Sequence, residues 1–112
     1  LVDVAGTEFD LRDGPELHGR FIDNAYTAIA VEDDDLHIAQ LIGDGGAGAE
    51  IEFRTSMPWA QVYTGALEHP DGPSVAIEPM TCPPNAFQTG QDLIRIEPGE
   101  SVTHEWTIRA LP

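Results

Sequence analysis

Ser74-Val75-Ala76-Ile77-Glu78-Pro79-Met80-Thr81-Cys82-Pro83-Pro84-Asn85-Ala86-Phe87 is the stretch from which the rest of the chain is read. An apolar, strand-like run, Val75 to Glu78, ends on one carboxylate, and Pro79, Pro83 and Pro84 follow it. Proline fixes φ and pushes the residue before it out of the helical region, so Glu78 is expected on a stiff, extended backbone. Two readings of Glu78 stand on this spacing. A carboxylate at the end of an apolar strand is half desolvated, which makes it a stronger base and suits general-base work. Alternatively, Glu78 simply ends an edge strand, and Pro79 stops the sheet pairing there.

Moving outward, Trp59 to Thr64 alternates, with Gln61 and Tyr63 on one face and Ala60 and Val62 on the other. Gly65 to Pro73 reads as a loop between these two strands. Further upstream, Phe21 to Val31 is rich in β-branched and aromatic residues and predicts a strand with Asp23 near its start. The acidic run Glu32 to Asp35 predicts a solvated hairpin turn, with Leu36 to Ile42 as the return strand. Leu1 to Ala5 alternates weakly, as a short strand would, and Phe9 to Gly19 is polar and turn-rich. Downstream, Asn85 to Gly90 reads as a loop and Asp92 to Glu97 as a strand. Pro98-Gly99 suits the centre of a type II turn. The last strand alternates Val102, His104, Trp106 and Ile108 against Thr103, Glu105, Thr107 and Arg109. No segment holds a 3.6-residue apolar period, so the expectation is an all-β chain of about seven or eight short strands.

Composition limits the partners. The chain has 112 residues, one domain or a piece of a larger one, and 41% of them are apolar. No apolar run approaches a membrane span, and no signal-like segment follows Leu1, so the chain is expected to start inside a longer polypeptide. The net charge is -15, with five arginines and no lysine. Such a surface repels phosphate backbones and anionic lipid, so neither nucleic acid nor membrane is an expected partner. A halophilic source and a lysine-poor, GC-rich genome both account for this bias. The single cysteine, Cys82, allows no internal disulfide and suits a reducing cytoplasm.

Several chemical motifs can be set aside. Gly43-Asp44-Gly45-Gly46-Ala47-Gly48 formally matches the dinucleotide fingerprint, but Ala49 to Arg54 after it alternates as a strand where a helix is required. The same glycines resemble one calcium-binding nonapeptide turn, which needs stacked repeats that this chain lacks. A flexible hairpin loop is left. His18, His37, His69 and His104 are scattered, without metal-ligand spacing. Cys82, between Thr81 and Pro83, reads as a small packed residue.

The runs Gln61-Val62-Tyr63-Thr64-Gly65 and Ala76-Ile77-Glu78-Pro79-Met80-Thr81-Cys82-Pro83-Pro84-Asn85-Ala86-Phe87 resemble the C-terminal region of aldose 1-epimerases, the galactose mutarotase family. Upstream, Val4 to Arg12 resembles that family's Gly-Thr-Pro-Phe-Asp-Phe-Arg segment, with Glu8 where proline is expected. Ile22-Asp23-Asn24-Ala25-Tyr26 resembles its Asp-containing strand, and Leu93 to Pro98 with the Trp106 strand fits its closing hairpin.

The resemblance implies an antiparallel β-supersandwich that binds a monosaccharide in an open cleft and interconverts its α and β anomers without a cofactor. It implies Glu78 as the general base that takes the proton from the anomeric hydroxyl, and Asp23 and Gln61 as sugar-binding residues. The competing readings are Asp23 as a strand-entry cap and Gln61 as an outward strand residue. The family's acid is a histidine in an Asn-His-aromatic context in the N-terminal part, and nothing in this chain matches that context. Residues 1–112 are therefore expected to be the C-terminal part of one sandwich domain, whose partner is the missing N-terminal portion of the same fold. The alternative expectation is a catalytically silent carbohydrate-binding β-domain.

Overall fold

A computed structural model describes residues 1–32, 34–65 and 72–112. Six strands and one short helix follow in order: β1 (Asp23–Thr27), β2 (Leu36–Ile42), β3 (Gly48–Arg54), β4 (Trp59–Tyr63), β5 (Ala76–Met80), α1 (Ala86–Thr89) and β6 (Trp106–Leu111). They form two antiparallel three-stranded sheets, ordered β1-β4-β5 and β2-β3-β6. The chain is all-β, as its alternating segments predict.

The sheets meet where apolar alternation from each points inward. Ile51 and Phe53 of β3, Ala60 of β4 and Met57 of the connecting turn form the core, with Ile29, Ala39 and Ile77 packed against it. Phe53 and Ile22 are each 1% exposed, and burying side chains of this kind contributes about 1.5–3 kcal/mol apiece. The polar partners of the alternation face out. Glu50 and Glu52 share the outer face of β3 and both pair with Arg109 of β6.

The β2–β3 hairpin is closed by the glycine-rich loop, where Gly43 N–H donates to Ala47 O (2.8 Å) and Gly46 takes φ 86°. Gly48 starts β3 directly against β2. A Cβ there would lie 2.1 Å from Leu41 O, so only glycine lets the ladder close at that rung.

Four expectations change. The segment Phe21 to Val31 does not pair with Leu36 to Ile42. Residue Glu32 makes only an isolated bridge to Leu36, while β1 pairs with β4 and β2 with β3. Asp34 and Asp35 of the acidic run are both left-handed and lie between β1 of one sheet and β2 of the other. Ile29 packs on the core along this crossing, and His37 Nδ1–H donates to Ala30 O at 2.9 Å. Asn85 to Gly90, read as a loop, contains α1, ended by Gly90 at φ 73° with its N–H on Ala86 O. Asp92 to Glu97 alternates like a strand but meets no ladder partner among the described residues, and Leu1 to Ala5 turns at Val4–Thr7 with no strand. The count among the described residues is accordingly six strands.

Pro98-Gly99 does form the anticipated turn, with Gly99 at φ 89° and Glu100 N–H on Glu97 O. The radius of gyration is 15.5 Å, against about 13 Å for a compact domain of this length. The looseness shows at β6, where Trp106 is 58% and Ile108 61% exposed. Both lie on the face of the sheet that buries Phe53 and Ile51.

Candidate functional site

Strand register builds the site. In an antiparallel ladder, directly paired residues project to the same face, and so do residues two apart on one strand. Ala25 pairs with Gln61 and Gln61 with Glu78, while Asp23 pairs with Tyr63 and Tyr63 with Ala76. Asp23, Gln61 and Glu78 therefore stand on one face, turned away from the core that Ala60 and Val62 line. The alternation of Trp59 to Tyr63 placed Gln61 and Tyr63 on a common face, and the register adds Asp23 and Glu78 to it.

The three are connected unequally. Gln61 Nε2 donates to Asp23 Oδ1 at 2.6 Å. Since that bond identifies the amide nitrogen, the oxygen Oε1 is the remaining acceptor, and it is buried without a partner among the described residues. Asp23 and Glu78 are both exposed. This corrects the expectation that Glu78 is half desolvated at a strand end. Its strand continues through Pro79 to Met80, and Glu78 is its one exposed residue. Pro79 is tolerated because β5 is an edge strand, with β4 on one side only.

Walls flank this row. On one side stands Trp59, 4% exposed, its indole N–H donating to Asp92 Oδ2 at 2.8 Å. On the other, Tyr63 and Phe21 meet edge to face with centroids 6.3 Å apart. Between them Ala25 leaves a low floor beside Gln61. The arrangement is an exposed pair of carboxylates, Asp23 and Glu78, with the half-buried Gln61 amide between them. It suits a neutral ligand rich in hydroxyl donors, and an aromatic edge suits the apolar flank of such a ligand.

The sequence profile of the aldose 1-epimerase family matches residues 1–109. The chain belongs to the aldose 1-epimerase family. It is also similar to the uncharacterized protein YihR of Escherichia coli (strain K12), with 50% identity over 42 residues. That match covers 38% of this chain and spans 13% of the relative's length. No solved structure matches the chain.

Among the described residues of this member of the family, no histidine is hydrogen-bonded to Glu78. His37 is 4% exposed and packs its ring 5.2 Å from that of Phe53, which makes it a core residue. His104 precedes β6, its Nδ1 3.4 Å from Ser56 Oγ, in the wall of a cleft of about 550 Å³ lined also by Glu52, Arg54 and Glu105. His18 is exposed in the turn-rich segment, and His69 lies outside the described residues. No three His, Cys, Asp or Glu side chains gather at metal-binding distance among the described residues. No helix there is long and apolar enough to cross a membrane. Cys82 is half-buried, in the wall of an apolar hollow of about 410 Å³ with Met80, Pro84 and Phe87.

Sequence reasoning missed the Trp59–Asp92 pair. Its signal was weak, since the alternation around Asp92 predicts a strand, whereas its φ of 52° places it in a turn.

Proposed function

We propose that the intact protein is an aldose 1-epimerase that interconverts the α and β anomers of a hexose of the glucose or galactose class. Glu78 is the general base, and Asp23 and Gln61 hold sugar hydroxyls. The observation that carries this reading is the Gln61–Asp23 hydrogen bond beside Glu78, one cross-strand step away, on an open face. Glu78 takes the proton from the anomeric hydroxyl while an acid protonates the ring oxygen. The ring opens, the C1–C2 bond rotates, and closure on the other face returns both protons, so no net protonation change accumulates. The reading asks for no cofactor.

The acid is a histidine of the N-terminal portion of the same sandwich, which covers the exposed Trp106 and Ile108 face and completes the sugar cleft. The lone Cys82 and the absence of lysine fit a cytoplasmic protein acting on uncharged sugar, since a phosphorylated sugar needs local cations.

Exchange NMR on α- and β-glucose and galactose tests the proposal in the full-length protein. Catalysed exchange is expected, with Glu78→Gln lowering it by about a hundredfold or more. Wild-type rates in Glu78→Gln would remove Glu78 from the base role. Sugar binding without any rate enhancement in the full-length protein would favour a carbohydrate-binding domain instead.

A further inference from the structure

We infer that Thr64 is a positioning residue for Asp23, setting the carboxylate that receives the sugar; the inference rests on the reading of Asp23 as a sugar ligand. The β1–β4 ladder runs from Thr27↔Trp59 to Asp23↔Tyr63, so Asp23 occupies its last rung. A terminal rung frays unless something beyond it holds the chain. Thr64 supplies that hold. Its backbone N–H donates to Ile22 O at 3.0 Å. Its Oγ1 accepts the Ile22 N–H at 2.9 Å and donates its own proton to Arg20 O at 2.8 Å. The hydroxyl thus acts as one further rung, with its donor and one acceptor position both engaged.

Burial makes this rung hard to replace. Thr64 is 5% and Ile22 1% exposed, so water has little access to take over either bond. Gly65 itself leaves no room for a side chain, because it has φ 46° and a Cβ there would lie 2.6 Å from Ser74 Oγ. Strand β4 and the residue that follows it therefore grip Asp23 twice. Gln61 holds the side chain through Oδ1, and Thr64 holds the backbone on the residue before it. Oδ2 is left for the ligand, and its direction depends on both grips. Threonine suits the position because its β-branched methyl stiffens χ1 and so holds the hydroxyl in place.

The experiment compares Thr64→Val, which keeps the shape and loses both hydroxyl bonds, with Thr64→Ser, which keeps the hydroxyl, in the full-length protein. KM and kcat for anomer exchange are measured alongside Tm. Thr64→Val is expected to raise KM about tenfold with a smaller change in kcat, and Thr64→Ser to stay within about twofold of wild type. In an Asp23→Asn background, Thr64→Val should add no further increase in KM, because the two act through one contact. A fall in Tm with unchanged KM would overturn the inference, as would full additivity with Asp23→Asn. Should Thr64→Val fail to fold, Thr64→Cys, with its near-isosteric and weakly bonding thiol, carries the same comparison with a smaller expected rise. If Asp23→Asn alone leaves KM unchanged, the reading of Asp23 as a sugar ligand fails, and the role of Thr64 with it. If only Thr64→Val is silent, the sugar site stands and Thr64 is merely structural.

Discussion

Gln61 Nε2 and Asp23 Oδ1 are joined at 2.6 Å across the β1–β4 ladder, two residues out of direct register. A diagonal contact of this kind needs a long side chain on one strand and a short one on the other, which glutamine and aspartate provide. It ties the orientation of an exposed carboxylate to a strand whose other face is in the core.

Replacing Gln61 by Met keeps the length and removes the donor. Asp23 then has no partner for Oδ1, and sugar affinity should fall about tenfold, near the 1.4 kcal/mol of one well-placed hydrogen bond. The fold should hold, because methionine fills the same half-buried space. Isothermal titration with the free sugar, paired with a thermal melt, separates the two effects.

A second prediction concerns acid. Glu50 is 4% exposed, and its carboxyl is held below the usual carboxylate range by the Gln40 amide and then by the Arg109 guanidinium. A carboxylate whose folded pKa is depressed contributes stability above its unfolded value, 4.5 here, and loses that contribution as pH falls through the folded value. Melting temperature should therefore decline below about pH 4.5 more steeply in the wild type than in Glu50→Gln. Melts at closely spaced pH values show the difference as a change of slope; parallel curves would count against it.

Trp59 and Asp92 give a third. Trp59→Phe leaves the Asp92 carboxylate without its indole donor and should cost about 1.5–3 kcal/mol, the range for hydrogen bonds to charged groups. Asp92→Asn keeps an acceptor and tolerates the left-handed backbone, so its loss should be smaller. Asp92→Val should be the worst of the three, because a β-branched residue resists φ 52°. Urea denaturation of the set gives the order.

Gly48→Ala tests the β2–β3 hairpin. The added methyl would lie 2.1 Å from a backbone oxygen, Leu41 O, which cannot swing away as a side chain can. The strands must part locally, at about 1–3 kcal/mol. A matching Gly45→Ala change, where a Cβ meets nothing within 4 Å, should be far milder.

What could be read from residues alone follows from how local each signal is. The faces of β3 and β4 are written into Ile51-Glu52-Phe53 and Ala60-Gln61-Val62, because alternation needs no knowledge of the partner strand. The convergence of Gln61 with Glu78 also came close to being legible, since consecutive strands separated by a loop usually pair. Pairing across longer separations was not. Nothing in Phe21 to Val31 says that its partner is Trp59–Tyr63 rather than Leu36–Ile42; that choice is made by Ile22 and Thr64 closing together, 42 residues apart. Asp92 to Glu97 failed in the opposite way. Its alternation is genuine, but a strand also needs an edge to bond to. The exposure of Glu78 was misjudged for a related reason: an apolar strand before a carboxylate describes one face, and Glu78 projects from the other.

The two tryptophans are 4% and 58% exposed, one sealed under the Asp92 loop and one standing on the bare flank of β6. Their emission is consequently sorted by place. Acrylamide should quench Trp106 and spare Trp59, and any chain that settles over β6 should shift Trp106 emission to the blue while Trp59 stays constant. The molecule thus carries a built-in reporter for anything that docks on β6, readable in a cuvette without a label, and a single Trp106→Phe change supplies its blank.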